Sequence, residues 1–160
     1  MRLLIAAVGK LKRGPERELF AHYLGRAATA GRKLHLSPLD AIEVAESKAA
    51  TAQARMQAEA ASLLGKVPAS HKLIPLDPRG EQLTSETFAS LLARLRDQGT
   101  EGLAFLIGGA DGLSVEAIGK AVKVLSLGPM ILPHGLARIV LAEQIYRTMT
   151  ILSGHPYHRG

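Results

Sequence analysis

The sequence predicts an α/β fold with a mostly parallel sheet flanked by helices. Short, continuous apolar runs such as Leu3-Leu4-Ile5-Ala6-Ala7-Val8 and Leu103-Ala104-Phe105-Leu106-Ile107 have the pattern of strands buried on both faces. Segments with helical spacing separate them, and the regular alternation of the two patterns is that of a parallel α/β domain. A chain of 160 residues is long enough for one self-sufficient core, so residues 1–160 are expected to form a single domain.

Leu3 to Val8, closed by Gly9, is the first strand. Pro15 then opens a helix with Glu16 and Glu18 in its first turn, and Leu19, Phe20, Tyr23, Leu24 and Ala27 recur at helical spacing until Gly31. A second strand is expected over Lys33 to Leu36. After Pro38 and a weak segment, an Ala-rich helix is expected from about Ser47 to Leu64, on intrinsic propensity rather than on a sharp apolar stripe. His71 to Asp77 is the third strand. Thr84 or Ser85 caps a helix that carries Phe88, Leu91, Leu92 and Leu95 on one face and ends at Gly99. Leu103 to Ile107 is the fourth strand, and it runs into Gly108-Gly109-Ala110-Asp111-Gly112. Ser114 then caps a helix with Val115, Ile118, Val122 and Leu125. A fifth strand, broken by Gly128-Pro129, is expected over Leu127 to Leu132, and a long helix over Gly135 to Leu152.

That last helix carries two apolar stripes, Ile139, Ala142, Tyr146 and Met149 on one and Leu141, Ile145 and Leu152 on another. A helix lying on a sheet needs only one, so the second predicts a further partner, and in a short chain the expected partner is a second copy: a homodimer.

Composition removes several functional classes. With no cysteine, disulfide scaffolds, thiolate metal sites and cysteine nucleophiles are impossible, and a cytoplasmic location is favoured. No apolar run reaches the ~18–20 residues of a membrane span, and Lys10 arrives too early for a signal peptide, so no membrane association is expected. Twenty Lys and Arg against 14 Asp and Glu leave a net charge of +6, which suits an anionic partner if the cations cluster.

The turn at residues 108–112 admits close backbone approach beside a helix N-terminus, but its glycines do not give G-x-G-x-x-G and follow the fourth strand rather than the first. A nicotinamide-dependent oxidoreductase is therefore disfavoured. The six histidines show no metal-binding spacing, so no metal is expected. His134 lies where a strand gives way to the last helix, the place where open α/β sheets present ligand groups, and Arg138 follows one turn later. Glu143, Gln144 and Arg147 have little water-facing arc on a doubly apolar helix, and some of them are expected to be buried and hydrogen-bonded. The tail His155-Pro156-Tyr157-His158-Arg159 combines stacking and phosphate-binding groups, a set suited to RNA.

Four motifs, Phe105 to Ser114, Leu125 to His134, Leu141 to Arg147 and Pro156 to Arg159, occur in the order found in the RlmH family, which this chain closely resembles. That family comprises large-subunit ribosomal RNA pseudouridine N3-methyltransferases of the SPOUT superfamily. The resemblance implies a C-terminal trefoil knot, S-adenosylmethionine as cofactor, a homodimer with its site at the interface, and the 23S rRNA of the assembled 70S ribosome as substrate. Carried over by position, the cofactor-binding residues would be Leu76, Gly108, Leu127, Gly128, Pro129, Met130, Ile131 and Leu132. Ile131 departs from the pattern, since family members often have Thr there. The catalytic set would be His134 and Arg138, with Tyr157, His158 and Arg159 from the tail. Either His134 or His158 would accept a proton from N3 or orient the base, the two arginines would stabilise the uracil anion or grip phosphates, and Tyr157 would stack on a base. The competing class is a non-catalytic SPOUT-like dimer that binds nucleotide or RNA without methylating it.

Overall fold

The computed structural model describes residues 1–158. Five parallel strands, β1 (Arg2–Val8), β2 (Leu39–Val44), β3 (His71–Gln82), β4 (Gly102–Ile107) and β5 (Leu125–Ser126), form one sheet in the order β2-β1-β4-β3-β5. Side chains alternate across a strand, so the central strands feed two separate cores. Leu3, Ile5, Ala7, Leu103, Phe105 and Ile107 point to the face covered by helices α1 (Pro15–Gly31), α3 (Ser85–Asp97) and α5 (His134–Ser153). Leu4, Ala6, Val8, Ala104 and Leu106 point to the opposite face, under α2 (Ala52–Leu64) and the short α4 (Val115–Gly119). No helix among the described residues is long and apolar enough to cross a membrane.

Several elements sit differently from the expectation. Lys33 and Leu34 continue α1 as a 3-10 turn (Arg32–Leu34) that closes at left-handed His35, and the strand follows Pro38 instead. At the sheet edge β2 tolerates Asp40 and Glu43 among apolar residues, which is why its pattern reads as weak. Thr51, not Ser47, caps α2, accepting a hydrogen bond from the Ala54 N–H. The helix after Ser114 lasts five residues. The fifth strand is Leu125–Ser126, and residues 127–133 leave the sheet altogether. Pro129 and Pro133 cannot donate to a ladder, and Gly128 adopts φ +120°, so this apolar stretch cannot extend β5.

Both stripes of α5 are buried within the chain. Leu141, Ala142, Ile145 and Met149 are fully covered, and α5 packs along α1 and α3. The chain itself thus supplies the partner that the second stripe requires, and the stripe gives no ground for a second copy. What α5 leaves exposed is Leu136 and Val140.

The crossing of β3 with the segment before β5 sets where residues 127–132 emerge. The Glu81 N–H donates to the Val124 carbonyl at 3.0 Å, and a Cβ on Gly80 would lie 2.7 Å from the Leu125 carbonyl carbon. Gly80→Ala is therefore expected to cost about 1–3 kcal/mol by overpacking. Gly25→Ala, in open space on α1, is expected to be neutral or to stabilise by up to ~1 kcal/mol. Chemical denaturation of the two variants checks this.

Candidate active site

Chain direction through the sheet creates the site. From β1 the chain moves to the β2 edge, and from β4 it moves towards β5, so the loops after these two adjacent strands diverge and leave a crevice at their C-terminal ends. The loop after β1 begins at Gly9 with φ +85°, and the loop after β4 is the Gly-rich turn.

Arg138 occupies the floor of this crevice. It enters from the first turns of α5 and is 1% exposed. Its Nη1 donates to Glu43 Oε1 at 2.6 Å, and its Nη2 to the carbonyls of Val8 and Gly9 at 2.7 Å each. Burial pulls its pKa below the ordinary arginine value, while the carboxylates of Glu43, Glu16 and Glu46 oppose that shift. Glu43 Oε1 also accepts from the Leu11 N–H at 2.9 Å, which ties the next loop to the same point. Arg138 is therefore walled off from substrate phosphates, and its geometry is that of a positioning residue.

His134 is what Arg138 positions. Its Nδ1 lies 3.2 Å from Arg138 Nη2. A guanidinium has no acceptor, so a proton on Nδ1 would face a cation with nothing to receive it. The neutral ring consequently carries its proton on Nε2, and His134 presents a donor rather than a base to its surroundings. The ring borders a groove of about 500 Å³ formed with residues 10–16.

The residues assigned to the cofactor fall in two groups. Gly108 lies in the Gly-rich turn, where a Cβ would meet the Gly112 carbonyl carbon at 2.6 Å, so the tightness of the turn itself requires glycine. Arg55 holds that turn through a two-pronged ion pair to Asp111 (2.7 and 3.2 Å), which keeps the Asp111 carboxyl below the usual range. Leu76 is aligned with Leu125 across the β3–β5 pairing and is half-buried. Leu127 to Leu132 form one continuous loop that leads directly to His134. Met130 and Ile131 are 78% and 91% exposed, unusual for such side chains, and the N–H groups of Met130, Ile131 and Leu132 donate to nothing among the described residues. Uncovered apolar side chains beside free amides fit an adenine ring and its polar edge, so these residues suit S-adenosylmethionine. The loss of a hydroxyl at Ile131 leaves those backbone groups in place.

The tail folds back onto α5. Tyr157 donates to Glu143 Oε1 at 3.2 Å and packs edge-on against Tyr146 at 4.8 Å between ring centres. Arg147 lies over its ring and pairs with Glu143, which also accepts from Gln144; the three are hydrogen-bonded but half-buried rather than buried. Tyr157 is thus engaged within its own chain, 23 residues along from His134, and the two are not joined by any contact. Burial first, then hydrogen bonding from Tyr23 and the charge of Glu143, push the Tyr157 pKa well above the ordinary phenol value. His158 closes the turn Pro156–His158, but its side chain and Arg159 lie outside the described residues. Among the described residues no cluster of three or more His, Asp or Glu is placed to hold a metal ion.

Sequence reading missed Glu43 and Gly9. The available signal was a carboxylate held between Ile42 and Val44, which is out of place unless a cation meets it.

The family described as "Predicted SPOUT methyltransferase" matches residues 1–158. The chain belongs to the SPOUT methyltransferase family. It is 54% identical to "Ribosomal RNA large subunit methyltransferase H" of Xanthobacter autotrophicus (strain Py2) over 159 residues, 99% of each chain. It is 53% identical to the protein of the same name from Rhodopseudomonas palustris (strain CGA009) and 52% identical to that from Rhizobium leguminosarum bv. trifolii, again over 99% of each chain. For this SPOUT chain, the fold class expected from sequence holds, and the family implies the knot.

Two outcomes follow. In ¹⁵N-resolved NMR, neutral His134 should show the Nε2–H tautomer, and Arg138→Met should abolish that preference. Because the folded state raises the Tyr157 pKa, its contribution to stability is present below the unfolded phenol value near 10 and is lost as pH rises through the folded value. The stability difference between wild type and Tyr157→Phe should therefore fall as pH climbs above about 10, measured by urea unfolding.

Proposed function

We propose that this protein is an S-adenosylmethionine-dependent methyltransferase acting on N3 of a pseudouridine in large-subunit ribosomal RNA. Its substrate is the assembled 70S ribosome in the cytoplasm, and it works as a homodimer. The observation that carries the reading is the continuity of Leu127 to Leu132 with His134. An apolar wall with free amides passes within two residues into an imidazole whose orientation is fixed by a buried guanidinium. The relatives' shared name, "Ribosomal RNA large subunit methyltransferase H", supplies the substrate class.

The bound cofactor supplies an electrophilic methyl group. The chain's residues hold the acceptor base in line with it and manage the charge left when N3 loses its proton. His134, donating through Nε2, suits a uracil carbonyl oxygen, where negative charge accumulates in the N3 anion. Its role is therefore orientation and charge stabilisation, with proton acceptance left to another group or to solvent. Met130, Ile131, Leu136 and Val140 are exposed apolar side chains around the site available to a second copy, whose tail would bring His158 and Arg159 to the site.

Labelled methyl transfer from S-adenosylmethionine should be seen with 70S ribosomes and not with ribosomes lacking the pseudouridine. His134→Ala should slow single turnover by about 10²-fold, as loss of one stabilising donor does, and His134→Gln, which restores a donor, by much less. Cofactor binding without any transfer would favour the non-catalytic binding dimer.

A further inference from the structure

The groove beside His134 has a second wall that the proposed chemistry does not use. It is the loop between β1 and α1, with Lys10, Lys12 and Arg13 on one side and Leu11 beneath. Leu11 is 7% exposed and sits in the core, and its N–H is fixed to Glu43 Oε1 at 2.9 Å. With Leu11 held inward, Lys10, Lys12 and Arg13 are all exposed. None of the three is in an ion pair among the described residues. Glu16 is the one carboxylate lining the groove, and it faces Gly135 and the Arg138 charge on α5. The open side of the groove is consequently lined by three free cations on a loop anchored at its centre.

We propose that Lys10, Lys12 and Arg13 form a phosphate clamp that grips the rRNA strand next to the target base. This inference rests on the methyltransferase reading above. Free cations on an anchored loop suit a polyanion, because they need not break an internal ion pair and little ordering is left to complete on binding. The Glu43 oxygen that fixes Leu11 also fixes Arg138, and Arg138 fixes His134, so the clamp and the imidazole are held at a set spacing by one carboxylate. A phosphate seated in the clamp thereby adds affinity for the strand beside the site without entering the chemistry. An acidic segment of a ribosomal protein is the other occupant that the charge would accept.

The test is a Lys10→Gln/Lys12→Gln/Arg13→Gln variant, compared with wild type, with a Lys10→Arg/Lys12→Arg variant and with Lys72→Gln, an exposed lysine near the opposite end of the sheet. Methylation of 70S ribosomes is measured across a salt series, with cofactor affinity and Tm as checks on folding. For three lost phosphate contacts the slope of log kcat/KM against log salt should become shallower by about 2, with a KM at least ~10-fold higher, a kcat within ~3-fold and unchanged cofactor affinity. The arginine variant should match wild type, and Lys72→Gln should change nothing. An unchanged KM and slope would overturn the clamp. So would a raised KM on 70S ribosomes with undiminished binding to purified 23S rRNA, the result expected of an acidic protein partner. Binding of the same proteins to purified 23S rRNA, read by filter retention, tests the clamp even if no methyl is transferred. Failure of the clamp is in this way separated from failure of the methyltransferase reading.

Discussion

Arg138 ties the start of α5 to the paired ends of β1 and β2. Its guanidinium takes the carbonyls that end β1, the carboxylate of edge strand β2 and the imidazole that begins α5. A buried charge of this kind is tolerated only while its partners are in place, because removing one partner leaves the other uncompensated and typically costs about 3–5 kcal/mol. The interaction is thus a constraint on geometry more than a source of stability. It fixes the first turn of α5 against the sheet, and with it the end of the loop that carries the apolar ligand surface. It also fixes the loop after β1 through the shared oxygen of Glu43.

Around that point the chain departs from regular structure in ways that serve a ligand. Gly128, Pro129 and Pro133 prevent β5 from continuing, so Met130, Ile131 and Leu132 keep their amides free instead of spending them on a ladder. Arg55 on α2 braces the opposing Gly-rich turn through Asp111, and Glu59 beside it leaves no room for a side chain at Gly109. Binding groups on loops are accurate only when the loops are braced, and here the braces are side-chain ion pairs and close backbone packing.

Much of this was legible in the sequence. The buried strands β1 and β4, the capped helix α3 and the length of α5 follow from apolar runs and spacing, because burial on both faces, or on one helical stripe, leaves a clear pattern. Strand β2 lies elsewhere because an edge strand alternates poorly, and β5 falls at Leu125–Ser126, before the expected Leu127 to Leu132, because an apolar loop and a buried strand have the same composition. His134 begins α5, as its place in the sequence suggests, but it follows the loop 127–133 rather than a strand. The burial of Arg138 and its tie to Glu43 were not, because the two residues are 95 positions apart and only the parallel pairing of β1 with β2 brings them together. The double apolar stripe on α5 was legible as a pattern, but its partner proved to be α1 and α3 of the same chain.

A crystal structure of the protein with S-adenosylhomocysteine tests the central claim most directly: that the loop before α5 and the crevice above Arg138 form one methyl-transfer site. The account predicts the adenine against residues 127–132, bonded to their free amides, with Gly108 close to the rest of the molecule and the Arg138–His134 contact intact. A ligand bound away from residues 127–132, with none of the Met130, Ile131 or Leu132 amides in contact with it, would contradict it.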